Sequence, residues 1–216
     1  MTTADVEEVF RQRIHASIEA KRALLDDLGP SMEVAQLLID AFRNGGGLLI
    51  FGNGGSAADA QHIAAEFLGQ FYRHRPALRA VALTVNTSAL TAISNDVGYD
   101  RVYARQVEAH GRTGDVVVGI STSGNSASVV EGLRMARRLG LATVALTGQD
   151  GGQARYEADH WVGVPSRDVA RIQESHILIG HVWSELVETA LFPDAPRTDS
   201  APQTSPADAH AENPVP

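Results

Sequence analysis

The sequence predicts a three-layer αβα sandwich, in which a parallel sheet lies between two layers of helices and is preceded by N-terminal helices. Short apolar runs alternate with segments of helical periodicity, which is the pattern of a parallel sheet with crossover helices. The runs at 48–51 and 116–120 are continuously apolar, as expected for strands that are covered on both faces. Each of these runs ends in a turn of small polar residues and glycine that opens a helix.

Two helices precede the first strand. Residues 4–27 carry apolar side chains at helical spacing with charges between them, which predicts a long amphipathic helix that Gly29-Pro30 ends. Ser31 is then expected to cap a second helix that runs to about residue 44, and three glycines lead from it into the first strand.

The remaining elements alternate along the chain. The sequence predicts a strand at 48–51, a helix at 56–71, a strand at 80–84, two short helical stretches at 88–94 and 100–109, a strand at 116–120, a helix from 126 to about 139, strands at 142–146 and 161–164, and a long helix at 167–191. Pro, Ala, Ser, Thr and Asp dominate from residue 193 onward. We therefore predict one domain at 1–192 and a disordered tail at 193–216.

The composition narrows the class of protein. A chain of 216 residues, 44% of them apolar, can bury a sizeable core in one domain. The net charge is −8 and the basic residues are scattered, whereas a nucleic-acid footprint needs a basic face. No apolar run reaches the ~18 residues that span a bilayer, and the acidic N-terminus is unlike a signal peptide. With no cysteine either, we expect a cytoplasmic protein that binds neither nucleic acid nor membranes.

Two strand–turn–helix corners share one design, GNGGS at 52–56 and STSGNS at 121–126. Hydroxyl groups and free N–H groups at helix N-termini suit such corners to phosphate, beyond the carboxyl ends of parallel strands. Ser and Gly also simply cap helices and turn the chain, but two such corners after buried strands favour phosphate. The motif GxxxxGK[ST] is absent, which argues against a nucleotide triphosphatase.

Two histidines on the predicted helices, His62 and His181, are candidate functional residues. His62 and Glu66 are four residues apart, so both side chains point from one face of the helix that follows GNGGS. Such a pair is an acid–base pair, half of a metal site or an ordinary surface pair, and spacing alone favours the surface pair. His181 lies on a largely apolar helix, where a lone histidine is more often a core residue.

Five segments together point to one family. FGNGGSAADAQHIAAEF, ISNDVGYD, ISTSGNS, ALTGQDGG and RIQESH, followed by His181, resemble the sugar isomerase (SIS) domain family over roughly residues 4–192. More narrowly the chain looks like the phosphoheptose isomerases, which convert sedoheptulose 7-phosphate to D-glycero-D-manno-heptose 7-phosphate for nucleotide-activated heptose synthesis. The resemblance implies a flavodoxin-like sheet, with the first helices packed into a homotetramer whose active sites form between subunits.

The resemblance also implies roles for individual residues. Glu66 would be the base and His181 the acid of an isomerisation through an enediol. Zinc, one ion per subunit, would be bound by His62, Glu66, Gln173 and His181. The substrate would contact the backbone or side chains of Asn53, Gly54, Gly55, Ser56, Glu66, Asn95, Asp96, Ser121, Thr122, Ser123, Ser126 and Gln173. The two roles of Glu66 compete, because a carboxylate bound to zinc is a weaker base.

The chain departs from the family pattern in two places, and two other functions stay open. Some members carry Arg where Gln70 stands, and many carry Thr where Val169 stands, which weakens any role for Asp168 and bears on the sugar contacts. A related non-enzymatic adaptor binds the bacterial replication initiator, but that type lacks a histidine at the position of His181. An isomerase of another sugar phosphate is the second alternative.

Overall fold

The computed structural model describes residues 1–198, which form seven α-helices and one five-stranded sheet. The helices are α1 (Thr3–Leu24), α2 (Gly29–Arg43), α3 (Gly55–Leu68), α4 (Thr87–Val97), α5 (Val102–His110), α6 (Ala127–Arg138) and α7 (Val169–Leu191). The strands are β1 (Leu48–Gly52), β2 (Ala80–Ala82), β3 (Val116–Ser121), β4 (Ala142–Gly148) and β5 (His160–Val164). The predicted α/β class is confirmed.

All neighbouring strands are parallel, in the order β2-β1-β3-β4-β5. This is the flavodoxin-like order, in which ligands bind at the switch point between β1 and β3. Alternate residues of β1 serve two separate cores. Leu48 and Ile50 pack with α2, α3 and α7, whereas Leu49 and Phe51 pack with α5 and α6. The helices that follow β1 and β3 therefore diverge to opposite faces of the sheet and leave a crevice between their N-termini.

The junction between the first two helices differs from the prediction. Helix α1 begins with a capping box between Thr2 and Asp5 and ends at Leu24, before the predicted stop. Helix α2 begins at Gly29, and Pro30 lies inside its first turn instead of ending the preceding helix. Ser31 is therefore not the cap. A proline is tolerated there because the N–H groups of the first turn have no intrahelical partner.

Two more boundaries near the sheet edge differ. Helix α3 ends at Leu68, three residues before the predicted end at 71, because the chain turns away at Gly69. Helix α4 continues to Val97 and stops at Gly98, so that Asn95 and Asp96 lie in its last turn and not in a connecting loop.

The first residues of the predicted tail are held against the domain. The N–H of His74 donates to the carbonyl oxygen of Pro196 over 3.0 Å, and the N–H of Thr198 donates to that of Tyr72 over 2.9 Å. The Arg73 guanidinium donates to the carbonyl oxygens of Pro193 and Ala195. Residues 193–198, the start of the predicted tail, are therefore held by hydrogen bonds and not by apolar burial, and residues 199–216 lie outside the described part. Within residues 1–198, no helix has the length and apolarity needed to cross a membrane.

Candidate active site

The two serine-bearing corners lie side by side at the carboxyl ends of β1 and β3. Gly52 at the end of β1 is in register with Ile120 near the end of β3. Asn53 joins the corners directly, because its Nδ2 donates to Ser128 Oγ on the first turn of α6 over 3.0 Å. Its Oδ1 accepts from the hydroxyl groups of Tyr99 at 2.8 Å and Tyr103 at 3.0 Å. Asn53 is therefore held with its amide orientation defined.

The second corner is organised around two hydroxyl groups. Ser121 Oγ and Ser126 Oγ are 3.2 Å apart, and the N–H of Gly124 donates to Ser121 Oγ over 3.1 Å. Ser126 is the N-cap residue of α6 but its side chain makes no capping hydrogen bond. The N-terminal N–H groups of α6 are therefore not capped by this hydroxyl, which is the arrangement that an anion can use.

The hydroxyl-bearing residues of the corners differ in exposure. Ser56 in the first turn of α3 and Ser121 are buried, at 3% and 4% exposure, whereas Ser123 is exposed. Thr122 and Ser126 are half-buried. All five residues lie at or shortly after the carboxyl ends of β1 and β3, which are neighbouring strands.

Residues 151–154 close the second corner from outside. The carbonyl oxygen of Gly124 accepts from the N–H of Ala154 over 2.8 Å, and Asn125 Oδ1 accepts from the N–H of Gln153 over 3.0 Å. Gly124 has φ +67°, and a Cβ added to it would collide with the carbonyl group of Gly151. The corner therefore requires glycine at this position, for conformation and for space.

A His–Glu–His cluster lies further along α3. His62 Nε2 is 3.0 Å from Glu66 Oε1 and 3.3 Å from His181 Nε2, and one ligand atom from each residue lies within 4.8 Å of the others. His181 is half-buried and comes from α7, which packs beside α3. The two interpretations that local spacing alone favoured are thus wrong. The pair on α3 is not an isolated surface pair, and His181 is not a core residue; His176, at 0% exposure, is the core histidine of α7.

The cluster has the donor set and the spacing of a metal site. Nitrogen and oxygen ligands at about 2.0–2.1 Å around a tetrahedral ion are roughly 3.3 Å from one another, which is close to both separations around His62 Nε2. In the tautomer that leaves Nε2 without a proton, each of the two imidazoles can offer this nitrogen to a metal ion, and the two atoms are 3.3 Å apart. The three residues fit a divalent cation.

Gln173 lies at a different part of the site. A Cβ added to Gly55 would come within 2.5 Å of Gln173 Nε2, so this amide rests on the first residue of α3. It thus lies next to the GNGGS corner. His181 is two turns further along α7 than Gln173, a rise of about 12 Å. The structure brings His62, Glu66 and His181 together, whereas the Gln173 side chain lies next to the start of α3.

Asn95 and Asp96 lie at the other side of the corners. Both are exposed in the last turn of α4, where Asn95 Nδ2 donates to Asp96 Oδ1 over 2.9 Å. Asp96 lines a cavity of about 570 Å³ with Arg101 and Arg105. The connection to the corners runs through Tyr99, which follows the helix and reaches Asn53.

Three further residues near the site carry no motif that sequence reasoning could use. Asp59 lies between Ser56 and His62 on α3, and its Oδ2 is buried without a hydrogen-bond partner among the described residues. Burial raises the pKa of Asp59, and nearby His62 opposes that shift. Burial also raises the pKa of Tyr103, whose hydroxyl group donates to the carbonyl oxygen of Gly52 and to Asn53 Oδ1. Phe71 stacks on His181 with ring centroids 5.4 Å apart.

Known proteins match this chain over nearly the whole described region. The family model described as the SIS domain matches residues 13–148. A phosphoheptose isomerase of Roseiflexus sp. (strain RS-1) is 56% identical over 180 residues, which are 83% of this chain and 91% of that protein. The structure of a phosphoheptose isomerase from Neisseria gonorrhoeae is 45% identical with a TM-score of 0.80, over 85% of this chain and 99% of the other. That from Francisella tularensis is 34% identical with a TM-score of 0.82, over 88% and 100%.

Proposed function

The chain belongs to the SIS domain family and, within it, to the phosphoheptose isomerases, and from this membership we infer that it converts sedoheptulose 7-phosphate to D-glycero-D-manno-heptose 7-phosphate. It is an aldose–ketose isomerase of nucleotide-activated heptose biosynthesis. One observation in this chain carries the inference: His181 on α7 lies against His62 and Glu66. These two residues are on α3, the helix that starts at the GNGGS corner.

The two corners are proposed to bind the substrate phosphate. Ser56, Ser121, Ser123 and Ser126, with Thr122 and the backbone of Gly54 and Gly55, offer hydroxyl and N–H donors. The Ser126 side chain does not cap the N-terminus of α6. The positive end of the helix dipole there adds a favourable potential for an anion. Binding by neutral donors agrees with the net charge of −8, because no lysine or arginine is required.

Glu66 and His181 are proposed to move the protons of the isomerisation. An enediol intermediate needs a base that removes the proton on the carbon next to the carbonyl group, and an acid that protonates the carbonyl oxygen. Glu66 Oε1 and His181 Nε2 lie 3.0 and 3.3 Å from His62 Nε2, so a substrate bound next to His62 would be close to both groups. Asn53, Asn95 and Asp96 are the proposed contacts of the sugar hydroxyl groups.

Zinc is the proposed occupant of the cluster, held by His62, Glu66 and His181, with Gln173 as the fourth ligand. Bound there, it would polarise the substrate carbonyl group. Support comes from the two imidazole nitrogens and the carboxylate within 4.8 Å of one another. The Gln173 amide lies against Gly55, so it would have to reach the ion from the start of α3.

A homotetramer with active sites between subunits is proposed from the surface of α1. Six large apolar residues are exposed on this helix and its end, namely Val6, Val9, Phe10, Ile14, Ile18 and Leu25. Contiguous apolar surface of this kind marks an interaction site. A cytoplasmic location remains a prediction from the sequence.

The test is to incubate the purified protein with sedoheptulose 7-phosphate and to identify the product by NMR. Glu66→Gln keeps the shape of the side chain and removes the base, so we expect the rate to fall roughly 10²–10⁴-fold. Glu185→Gln changes an exposed carboxylate on α7 and is the matched control, with an unchanged rate. A Glu66→Gln protein that works at the unaltered rate contradicts the proposed mechanism.

The same assay separates the two alternatives. The adaptor function predicts no product from any sugar phosphate, and the presence of His181 in the cluster disfavours it. Turnover of a hexose or pentose phosphate in preference to the heptose phosphate would support the second alternative, an isomerase of another sugar phosphate. Metal analysis of protein purified without chelator tests zinc, and activity that is unaffected by chelation would refute it.

A further inference from the structure

The loop between α3 and β2 places one aromatic ring against His181 of the His–Glu–His cluster. We call residues 69–76 the Phe71 loop. The Phe71 ring lies over the His181 ring with centroids 5.4 Å apart and planes 22° apart. The Tyr72 ring also contacts the Phe71 ring, with centroids 4.1 Å apart. The loop thus limits the directions in which the His181 ring can turn.

One buried carboxylate determines the shape of this loop. Glu188 on α7 is 1% exposed and accepts four hydrogen bonds. The backbone N–H groups of Phe71, Tyr72 and Arg73 donate to it over 2.8, 2.8 and 3.1 Å. Arg75 Nε donates over 2.8 Å. Three successive backbone N–H groups are therefore aimed at one side chain, which fixes the backbone of the loop where it carries Phe71.

Arg75 connects the same carboxylate to the end of α3. Its side chain is fully buried, and its guanidinium donates to the carbonyl oxygens of Glu66 over 2.6 Å, Phe67 over 2.8 Å and Gly69 over 3.0 Å. These are carbonyl groups of the last turn of the helix and its cap, which otherwise lack intrahelical partners. The Glu188–Arg75 pair therefore touches both the turn that carries Glu66 and the loop that carries Phe71.

A buried ion pair adds little to stability by itself, because desolvation offsets the attraction, but it can select one geometry. We propose that Glu188 and Arg75 are positioning residues, which hold the Phe71 ring on His181 and the last turn of α3 at Glu66. This inference rests on the proposed function, in which Glu66 and His181 are the groups that act on the substrate. Within residues 1–198, the side-chain hydrogen bonds of Glu188 and Arg75 go to residues 66–76 and to each other, and none goes to the serine corners.

The first measurement follows the His181 ring without any turnover. A phenyl ring stacked on an imidazole shifts the imidazole proton resonances upfield, so the His181 signals in NMR report the stacking. Glu188→Gln has one acceptor oxygen and an NH₂ group that faces N–H donors, so we expect the upfield shift to be lost. Phe71→Leu should lose it with the Glu188 network intact, and Phe71→Tyr should retain it. His74→Ala, an exposed change in the same loop, is the control.

The second measurement compares kcat with KM on the same variants. Displacement of a reacting group by about 1 Å can lower the rate roughly 10²-fold, so kcat should fall in Glu188→Gln and Phe71→Leu. KM should stay near that of the unaltered protein, because the phosphate corners are intact. In Phe71→Tyr, which keeps an aromatic ring on His181, kcat should be unchanged. If Glu188→Gln fails to fold, the two Phe71 variants decide the matter.

The outcomes separate this inference from the proposed function. An unaltered protein that does not convert the heptose phosphate refutes the proposed function, while the His181 signals still test the loop. A lower Tm with His181 signals and kcat unchanged would make the network purely structural and overturn the proposal. A rise in KM with kcat unchanged would overturn it as well.

Discussion

His176 makes a prediction about the pH dependence of stability. Its ring is fully buried in α7, and Nε2 donates to the carbonyl oxygen of Thr147 at the end of β4 over 3.0 Å. Nδ1 has no partner among the described residues. Burial lowers the pKa of His176 from 6.5 to about 4, against the smaller opposite effect of the hydrogen bond to Thr147. The folded protein therefore holds this ring neutral.

The sign and size follow from proton linkage. Below pH 6.5 the His176 ring takes up a proton in the unfolded chain but stays neutral in the folded chain. The free energy of unfolding therefore falls as the pH drops from 6.5 towards 4. A gap of about 2.5 pKa units corresponds to a loss on the order of 3 kcal/mol. In a domain of ordinary stability this is a large fraction of the total.

The measurement is urea unfolding followed by circular dichroism at about pH 7 and pH 4, at one fixed protein concentration. His176→Gln keeps a donor for the Thr147 carbonyl group and removes the titration, so the loss on acidification should shrink by on the order of 3 kcal/mol. His110→Gln, at an exposed histidine, should leave the loss unchanged. Equal losses in the unaltered protein and in His176→Gln would refute the reasoning.

Three further predictions concern the corners and the chain end. Gly124→Ala puts an alanine into a left-handed backbone conformation, where its Cβ collides with the carbonyl group of Gly151. In steady-state kinetics, KM for the sugar phosphate should therefore rise roughly tenfold or more. Gly55→Ala should displace the Gln173 amide and weaken zinc binding in a competition titration against a chelator; unchanged affinity would argue against Gln173 as a ligand. A chain that ends at residue 198 should keep its activity and Tm, whereas one that ends at 192 loses the contacts of 193–198 and should have a lower Tm in calorimetry.

Much of the architecture could be predicted because it depends on local patterns. Continuous apolar runs identified β1 and β3, and the glycines and serines that follow them identified the corners. The boundaries that were wrong depend on alternatives close in energy. Pro30 suits the first turn of a helix as well as a break, and α4 could continue through Asn95 and Asp96 until Gly98 ended it.

The sequence by itself determined the class of fold, the two phosphate-type corners and the His62–Glu66 pair, because period, turn residues and i,i+4 spacing are properties of a short segment. The spacing of residues alone did not decide the role of His181, which is 119 residues from His62 and whose neighbours in the sequence are those of a core residue. The family resemblance implied a role for it, and only the tertiary structure placed it against His62. The packing of α7 on α3 brings the two imidazoles within 3.3 Å, and the buried Glu188 brings Phe71 over one of them. Such contacts arise from the arrangement of whole elements around the sheet, which no local pattern encodes.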